Sequence, residues 1–263
     1  MTALPSYIKL TSEKTMYDSD AIIRDLKIMS KARNYAEWIF SKFRDLLGKR
    51  VVEIGAGIGN FTGKFIDKEL VIAVDNYKPC IDYIRNRFAD NNNIVPFEGS
   101  IDSPSILGLS VYLPDTIVCI NVLEHVENDI AALKNMFSLL TEGGKLILLV
   151  PAFQFLYGTI DHLVGHYRRY NKHEIETKLI MAGFYVKSVS YMNCIAPFGW
   201  YLNNRIMKKE EESLSQVIFY DRFVVPWLRK LEQIYLPPFG LSIVVFGEKY
   251  NAAKNSLNSS VAR

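Results

Sequence analysis

The stretch Val51-Val52-Glu53-Ile54-Gly55-Ala56-Gly57-Ile58-Gly59-Asn60 decides how this chain folds. A short run suited to a buried strand passes directly into three glycines and then a helix start. Glycine has no Cβ, so the backbone can turn tightly there and a ligand can come close to it. Asp75 ends the next apolar run, twenty residues after Gly55. A carboxylate at that place can accept two hydrogen bonds from a ribose diol.

The spacing distinguishes two kinds of nucleotide loop. The dinucleotide fingerprint G-x-G-x-x-G needs glycine at position 60, where this chain has Asn60 and carries its third glycine one place early. Glu53, two residues before Gly55, is a poor neighbour for a pyrophosphate and suits a cationic ligand. A NAD(P)-dependent oxidoreductase therefore remains as the alternative reading.

Outward from the loop, apolar runs alternate with helical spacing. Strands are expected over 51–54, 70–74, 93–97, 115–120 and 145–150, and helices over 60–67, 78–88 and 128–140, the last closed by Gly143-Gly144. The strand cores are apolar throughout, as in a parallel sheet covered by helices on both faces, which makes the fold α/β and doubly wound. Residues 1–18 form a polar leader, and residues 21–47 read as one or two helices. After a helix over 171–182 and a strand over 184–192 comes an insertion, 193–240, helical over 214–234. A last strand follows over 241–247, and the tail 251–263 is expected to fray. The organisation is thus a helical lid (1–47), a core (48–192), a helical cap (193–240), and a last strand with a flexible tail (241–263).

Composition narrows the function. Of 263 residues, 49% are hydrophobic and 22% charged, which excludes a disordered scaffold. A net charge of +3 argues against a nucleic-acid partner. Cys80, Cys119 and Cys194 have neither disulfide-framework nor zinc spacing, which fits a reducing cytoplasm. Residues 1–14 do not read as a signal peptide. The most apolar stretch, 146–160, is too short and too interrupted to be a transmembrane segment.

With Glu53-x-Gly55-x-Gly57-x-Gly59, Asp75, Asn121-Val122-Leu123-Glu124-His125-Val126 and Gly143-Gly144-Lys145-Leu146 in this order, the chain resembles the class I S-adenosylmethionine-dependent methyltransferases. The Asn121-to-Val126 segment is similar to that of ubiquinone-type and related small-molecule enzymes. The resemblance implies a seven-stranded Rossmann-like sheet and S-adenosylmethionine as cofactor, with S-adenosylhomocysteine as product. It implies that Gly55, Ala56, Gly57, Gly59 and Asn60 wrap the methionine part, with Glu53 behind them. Asp75 would hold the ribose, with Asn76 and Tyr77 beside the adenine. Gly99, Ser100 and Ile101 would frame the adenine, and Asn121 and Val122 would lie by the methionine moiety. Ser100 stands where the family often has Asp.

The acceptor side is expected in residues 153–170, at the carboxyl edge of the fifth strand. Tyr157, His162 and His166 there, with His125 in the family's motif, are the candidate catalytic groups. The four-residue spacing of His162 and His166 would let one helix face carry both, as base, substrate hydrogen bonders, metal ligands or parts of a lid. Without the Glu of HExxH the pair is weak evidence for zinc, and no metal is expected. Tyr167, Arg168, Trp200 and Tyr17 are candidate acceptor contacts. Arg168 and Arg169 either grip an acceptor anion or are tied to Asp161 or Glu174. The aromatic insertion suits a greasy acceptor pocket, a homo-oligomer interface or a membrane-surface contact. The expected function is methyl transfer to a hydroxyl or amine of a small, fairly apolar molecule of specialised metabolism. A catalytically inactive S-adenosylmethionine-binding subunit is a further alternative.

Overall fold

The structure, a computed structural model, describes residues 8–11, 14–17, 19–207 and 214–250, with backbone alone for 8–22 and 25. A hairpin of β1 (Ile8–Thr11) and β2 (Lys14–Tyr17) precedes α1 (Ser19–Met29) and α2 (Arg33–Ser41). The core then alternates: β3 (Arg50–Ile54), β4 (Leu70–Asp75), α3 (Lys78–Arg87), β5 (Ile94–Glu98), β6 (Thr116–Ile120), α4 (Asp129–Leu139), β7 (Lys145–Pro151). The chain continues through α5 (Thr159–Leu163), α6 (Lys172–Met181) and β8 (Phe184–Met192). The insertion holds α7 (Ala196–Tyr201), α8 (Leu214–Phe219) and α9 (Val225–Ile234), and β9 (Ser242–Lys249) closes the sheet.

The seven strands lie in the order β5-β4-β3-β6-β7-β9-β8. β3 to β7 pair in parallel and β9 runs antiparallel between β7 and β8. Alternate residues of one strand point to opposite faces. Val52 and Ile54 of β3 accordingly join Leu133 and Met136 of α4 and Leu179 of α6 in one core, while Val51 joins Trp38 and Phe43 near α2 and Val225 and Leu228 of α9 in the other. The sheet order reverses between β3 and β6, and the crevice outside the carboxyl ends of such strands is where ligands bind in open α/β sheets.

The helix expected over 60–67 is a single 3₁₀ turn, Thr62–Lys64. Gly63 weakens the helix, and fully buried Phe65 enters the core directly after the turn. The hairpin in the leader and the 3₁₀ stretch Pro104–Tyr112 are additions to the expected elements. The fraying expected of 251–263 falls outside the described residues.

In the insertion, α8 and α9 are joined through a π-helical turn, Tyr220–Val224. Asp221, Val225, Leu228 and Glu232 are buried at helical spacing. Asp221 accepts the backbone N–H groups of Asn34 at 3.2 Å and Tyr35 at 2.8 Å, so it caps the first turn of α2, where Ala32 offers no side-chain acceptor. Glu232 accepts the N–H groups of Asn193 at 3.1 Å and Cys194 at 2.8 Å, where the chain leaves β8. Phe219, Phe223, Trp227, Leu231 and Ile234 are all exposed. Burial thus falls on two acids and two aliphatics, while the large aromatics meet solvent.

Candidate active site

β3 delivers the glycine loop to the crevice. Gly55, Gly57 and Gly59 have φ of +74°, +54° and +79°, a region that side chains with a Cβ rarely enter. At Gly55 there is also no room, since a Cβ would lie 2.1 Å from Val122 Cγ2. Asp75, at the end of β4, holds the loop in place. Its Oδ2 accepts the Gly57 N–H at 2.8 Å and its Oδ1 the Tyr77 N–H at 2.9 Å. Partial burial raises its carboxyl above the usual range, opposed by these two bonds. Glu53 is buried behind the loop and accepts a hydrogen bond from Thr62 Oγ1 at 2.5 Å. Burial pushes its carboxyl up to about 8.

Two adjoining cavities, of about 1140 and 920 Å³, meet along Gly55, Gly57 and Asn121. α1 and α2 contribute Leu26, Met29 and Tyr35 to both. Asn121, just past β6, has φ +52°, and its N–H donates to Leu149 O at 2.9 Å. A non-glycine residue in that region at a ligand crevice is a common mark of a functional position. Asp75, Asn76, Tyr77, Gly99, Ser100, Ile101 and Asp102 line one end of the second cavity. Ser100 Oγ donates to Asp102. Asp102, two positions after the serine, brings a carboxylate to this end of the cavity.

The other end of this cavity is lined by Glu124, His125, His166, Tyr167, Arg169 and Trp200. Asp161 organises it from behind. This fully buried carboxylate accepts from Arg169 Nε at 2.7 Å, Asn204 Nδ2 at 3.0 Å and the Gly158 N–H at 3.1 Å, and faces His166 Nδ1 at 2.8 Å. Its hydrogen bond with His166 and the Arg169 charge outweigh burial and hold it below the usual carboxylate range. A carboxylate can only accept, so Nδ1 of His166 carries a proton and donates it to Asp161. Nε2 lies 3.9 Å from Glu124 Oε1. The His125 ring packs edge-on against that of His166, centroids 4.5 Å apart. His125 is the solvent-exposed member of this group and His166 the half-buried one. Burial pushes Glu124 up to about 7.

Among the described residues, three that line this cavity carry a buried polar atom without a hydrogen-bond partner: Tyr77 Oη, Glu124 Oε2 and Trp200 Nε1. Such groups are costly unless a ligand satisfies them. The glycine cradle, the Asp75 carboxylate and the orphaned Tyr77 hydroxyl fit a bound S-adenosylmethionine.

The expected cofactor residues Gly55, Gly57, Asp75, Asn76, Gly99, Ser100, Ile101, Asn121 and Val122 all line the second cavity, while Glu53, Ala56 and Asn60 line the first. Gly59 lies outside both linings and packs toward Phe88. The candidate catalytic residues separate. His166 and His125 come together in the cavity, but α5 ends at Leu163, so His162 does not share a helix face with His166 and is exposed. Tyr157 stands behind the wall and donates to the His166 carbonyl at 2.6 Å. Tyr167 and Trp200 line the cavity. Arg168 is turned away, bound to Asp129 at 2.8 Å and to the Glu127 carbonyl at 2.7 Å. Arg169 is tied to Asp161 and stacks over Trp200 at 4.7 Å. The Tyr17 side chain lies outside the described residues. Glu124, part of the Asn121-to-Val126 motif, is not among the candidate catalytic residues of the sequence, and Asp161 is expected there only as an arginine partner, which it is for Arg169.

The profile of a methyltransferase domain family matches residues 29–189. No curated protein matches. Among solved structures, the YcgJ protein of Bacillus subtilis superposes with a TM-score of 0.54 at 15% identity, over 82% of this chain and 99% of that one. The S-adenosylmethionine-dependent methyltransferase of Mesorhizobium loti gives 0.53 at 17% identity, over 81% and 97%. The complex between the Haloferax volcanii Trm112 methyltransferase activator and its methyltransferase gives 0.59 at 13% identity, over 88% and 95%. These likenesses concern the fold. The family match covers more than half of the chain, in the region that builds β3 to β8, the glycine loop and the crevice. The chain belongs to the methyltransferase domain family, as a class I enzyme whose methyl donor is S-adenosylmethionine.

Proposed function

We propose that this methyltransferase methylates a hydroxyl of a small, fairly apolar acceptor held between Trp200 and Glu124. The observation that carries the reading is a pair of orphaned buried atoms on two residues that line the same cavity, a donor at Trp200 Nε1 and an acceptor at Glu124 Oε2. An acceptor hydroxyl offers the matching pair, an O–H to donate and lone pairs to accept. An amine acceptor can also donate to Glu124, but it matches the Trp200 donor less well.

S-adenosylmethionine, when bound, supplies a sulfonium methyl whose C–S electron pair stays on sulfur, so no acid is required. The chain's work is alignment, exclusion of water and removal of the hydroxyl proton. Gly55 and Gly57 let the backbone come close to the donor, and Asp75 holds that loop and the ribose. Glu124 takes the acceptor O–H proton at its free oxygen. Asp161 and Tyr157 are positioning residues. The first fixes the His166 ring and the second its backbone. α1 and α2 close the crevice as a lid. The aromatic insertion, entering the site through Trp200, provides the apolar wall.

The test begins with thermal unfolding in S-adenosylmethionine, S-adenosylhomocysteine, NAD and NADP. A ligand at about a hundred times its Kd stabilises the native state by about 2.7 kcal/mol. A shift with the adenosyl compounds alone is expected and justifies an acceptor screen with labelled methyl donor. Glu124→Gln should keep that shift and lose turnover. Turnover on amines but not on alcohols or phenols would overturn the acceptor assignment.

A further inference from the structure

We infer that Glu124, His125 and His166 form a binding site for a divalent transition-metal ion at the acceptor end of the cavity. The inference deepens the proposed reading and rests on it for the role of the ion. One ligand atom from each residue can be chosen so that all three lie within 4.8 Å of one another. Bonds of about 2.1 Å set tetrahedral ligands about 3.4 Å apart, so the three side chains must close in by up to about 1.4 Å to complete the set. Glu124 Oε1 and His166 Nε2, at 3.9 Å, stand about half an ångström outside that spacing.

Three further features separate this cluster from a chance gathering of polar groups. Glu124 is 1% exposed, and its Oε2 has no partner. The His166 imidazole is fixed through one nitrogen, Nδ1, held by Asp161, which leaves the other for a ligand, and the His125 ring packs against it. A carboxylate or carbonyl behind a histidine is the usual outer shell of a metal site. All three residues also face the cavity, so substrate or water can fill the open positions. Two imidazoles and one carboxylate suit manganese, iron, cobalt, nickel or zinc better than magnesium or calcium. An ion held there would bind the acceptor oxygen and ease loss of its proton, which passes to the second oxygen of Glu124. His162 has no part in the site, so the spacing of His162 and His166 does not reveal it.

The experiment strips the whole protein with chelator and titrates it with Mn²⁺, following the free-ion paramagnetic signal, and with Zn²⁺ by calorimetry. One equivalent per chain is expected. Affinity should fall at least about tenfold in both Glu124→Gln and His166→Ala. S-adenosylmethionine binding, measured on the same variants, should stay within about twofold and shows that they are folded. Absence of binding by the wild type, or equal binding by wild type and both variants, would overturn the inference. A wild type that binds the ion selectively but not S-adenosylmethionine would support the metal site and sink the proposed function.

Discussion

Asp75 Oδ2 accepts the backbone N–H of Gly57 at 2.8 Å, so the carboxylate assigned to the ribose also fastens the loop assigned to the methionine part. The two halves of the cofactor site are mechanically one. Asp75→Ala leaves two N–H groups, of Gly57 and Tyr77, without acceptors. Unsatisfied groups of this kind cost about 1–3 kcal/mol each. We expect S-adenosylmethionine affinity to fall by more than tenfold and the unfolding midpoint to drop as well. Calorimetry and thermal unfolding of the same preparation check both. Lost affinity with unchanged stability would mean that the carboxylate serves the ribose alone.

A matched pair of glycines separates backbone strain from crowding. Gly55 and Gly143 have nearly the same φ, +74° and +76°. A Cβ at Gly143 meets nothing within 4 Å, whereas at Gly55 it runs into Val122. Gly143→Ala should cost only the conformational penalty, about 1–2 kcal/mol, and leave cofactor binding intact. Gly55→Ala should cost clearly more and abolish cofactor binding. Denaturant melts and a cofactor titration on both variants test the difference.

These two glycines also show what was legible in the sequence. The loop, its flanking strands and Asp75 are local signals, because strand pattern and glycine spacing carry the information within the one segment from β3 to β4. The acceptor end is assembled over long separations. His166 meets His125 across forty-one positions, and Asn204 reaches Asp161 from the insertion. Nothing local marks Asp161 as the hub. The four-residue spacing of His162 and His166 suggested one helix face, but the helix ends between them, so tertiary packing decided the pair. Glu124 lay in view inside a motif, yet only its burial beside an open cavity reveals its chemistry.

Glu53 gives a pH dependence with a definite sign. Its folded value, about 8, lies above the ordinary 4.5. Between these values the native state holds a proton that the unfolded chain has released. The resulting stability is fully present below about pH 4.5 and is lost as pH rises through about 8. Glu53→Gln should flatten that fall relative to wild type across pH 5–8, measured by denaturant unfolding without cofactor. S-adenosylmethionine brings a positive charge to this neighbourhood, so its binding should release protons at pH 7, seen as a buffer-dependent binding enthalpy. Parallel stability profiles of wild type and variant would sink this account of Glu53.

The insertion predicts opposite outcomes for its two faces. Asp221 replaces a missing cap on α2, so Asp221→Ala should destabilise the protein by about 1–2 kcal/mol. The loss should also reach the cavity, because Tyr35, whose N–H it holds, lines it. Trp227 is larger and more apolar, yet 76% exposed. Trp227→Ser should therefore change stability by no more than about 0.5 kcal/mol. Hydrophobicity alone ranks these substitutions the other way. Chemical denaturation of the two variants decides between the rankings, and a large loss at Trp227 would show that the outward aromatic stripe is covered in solution.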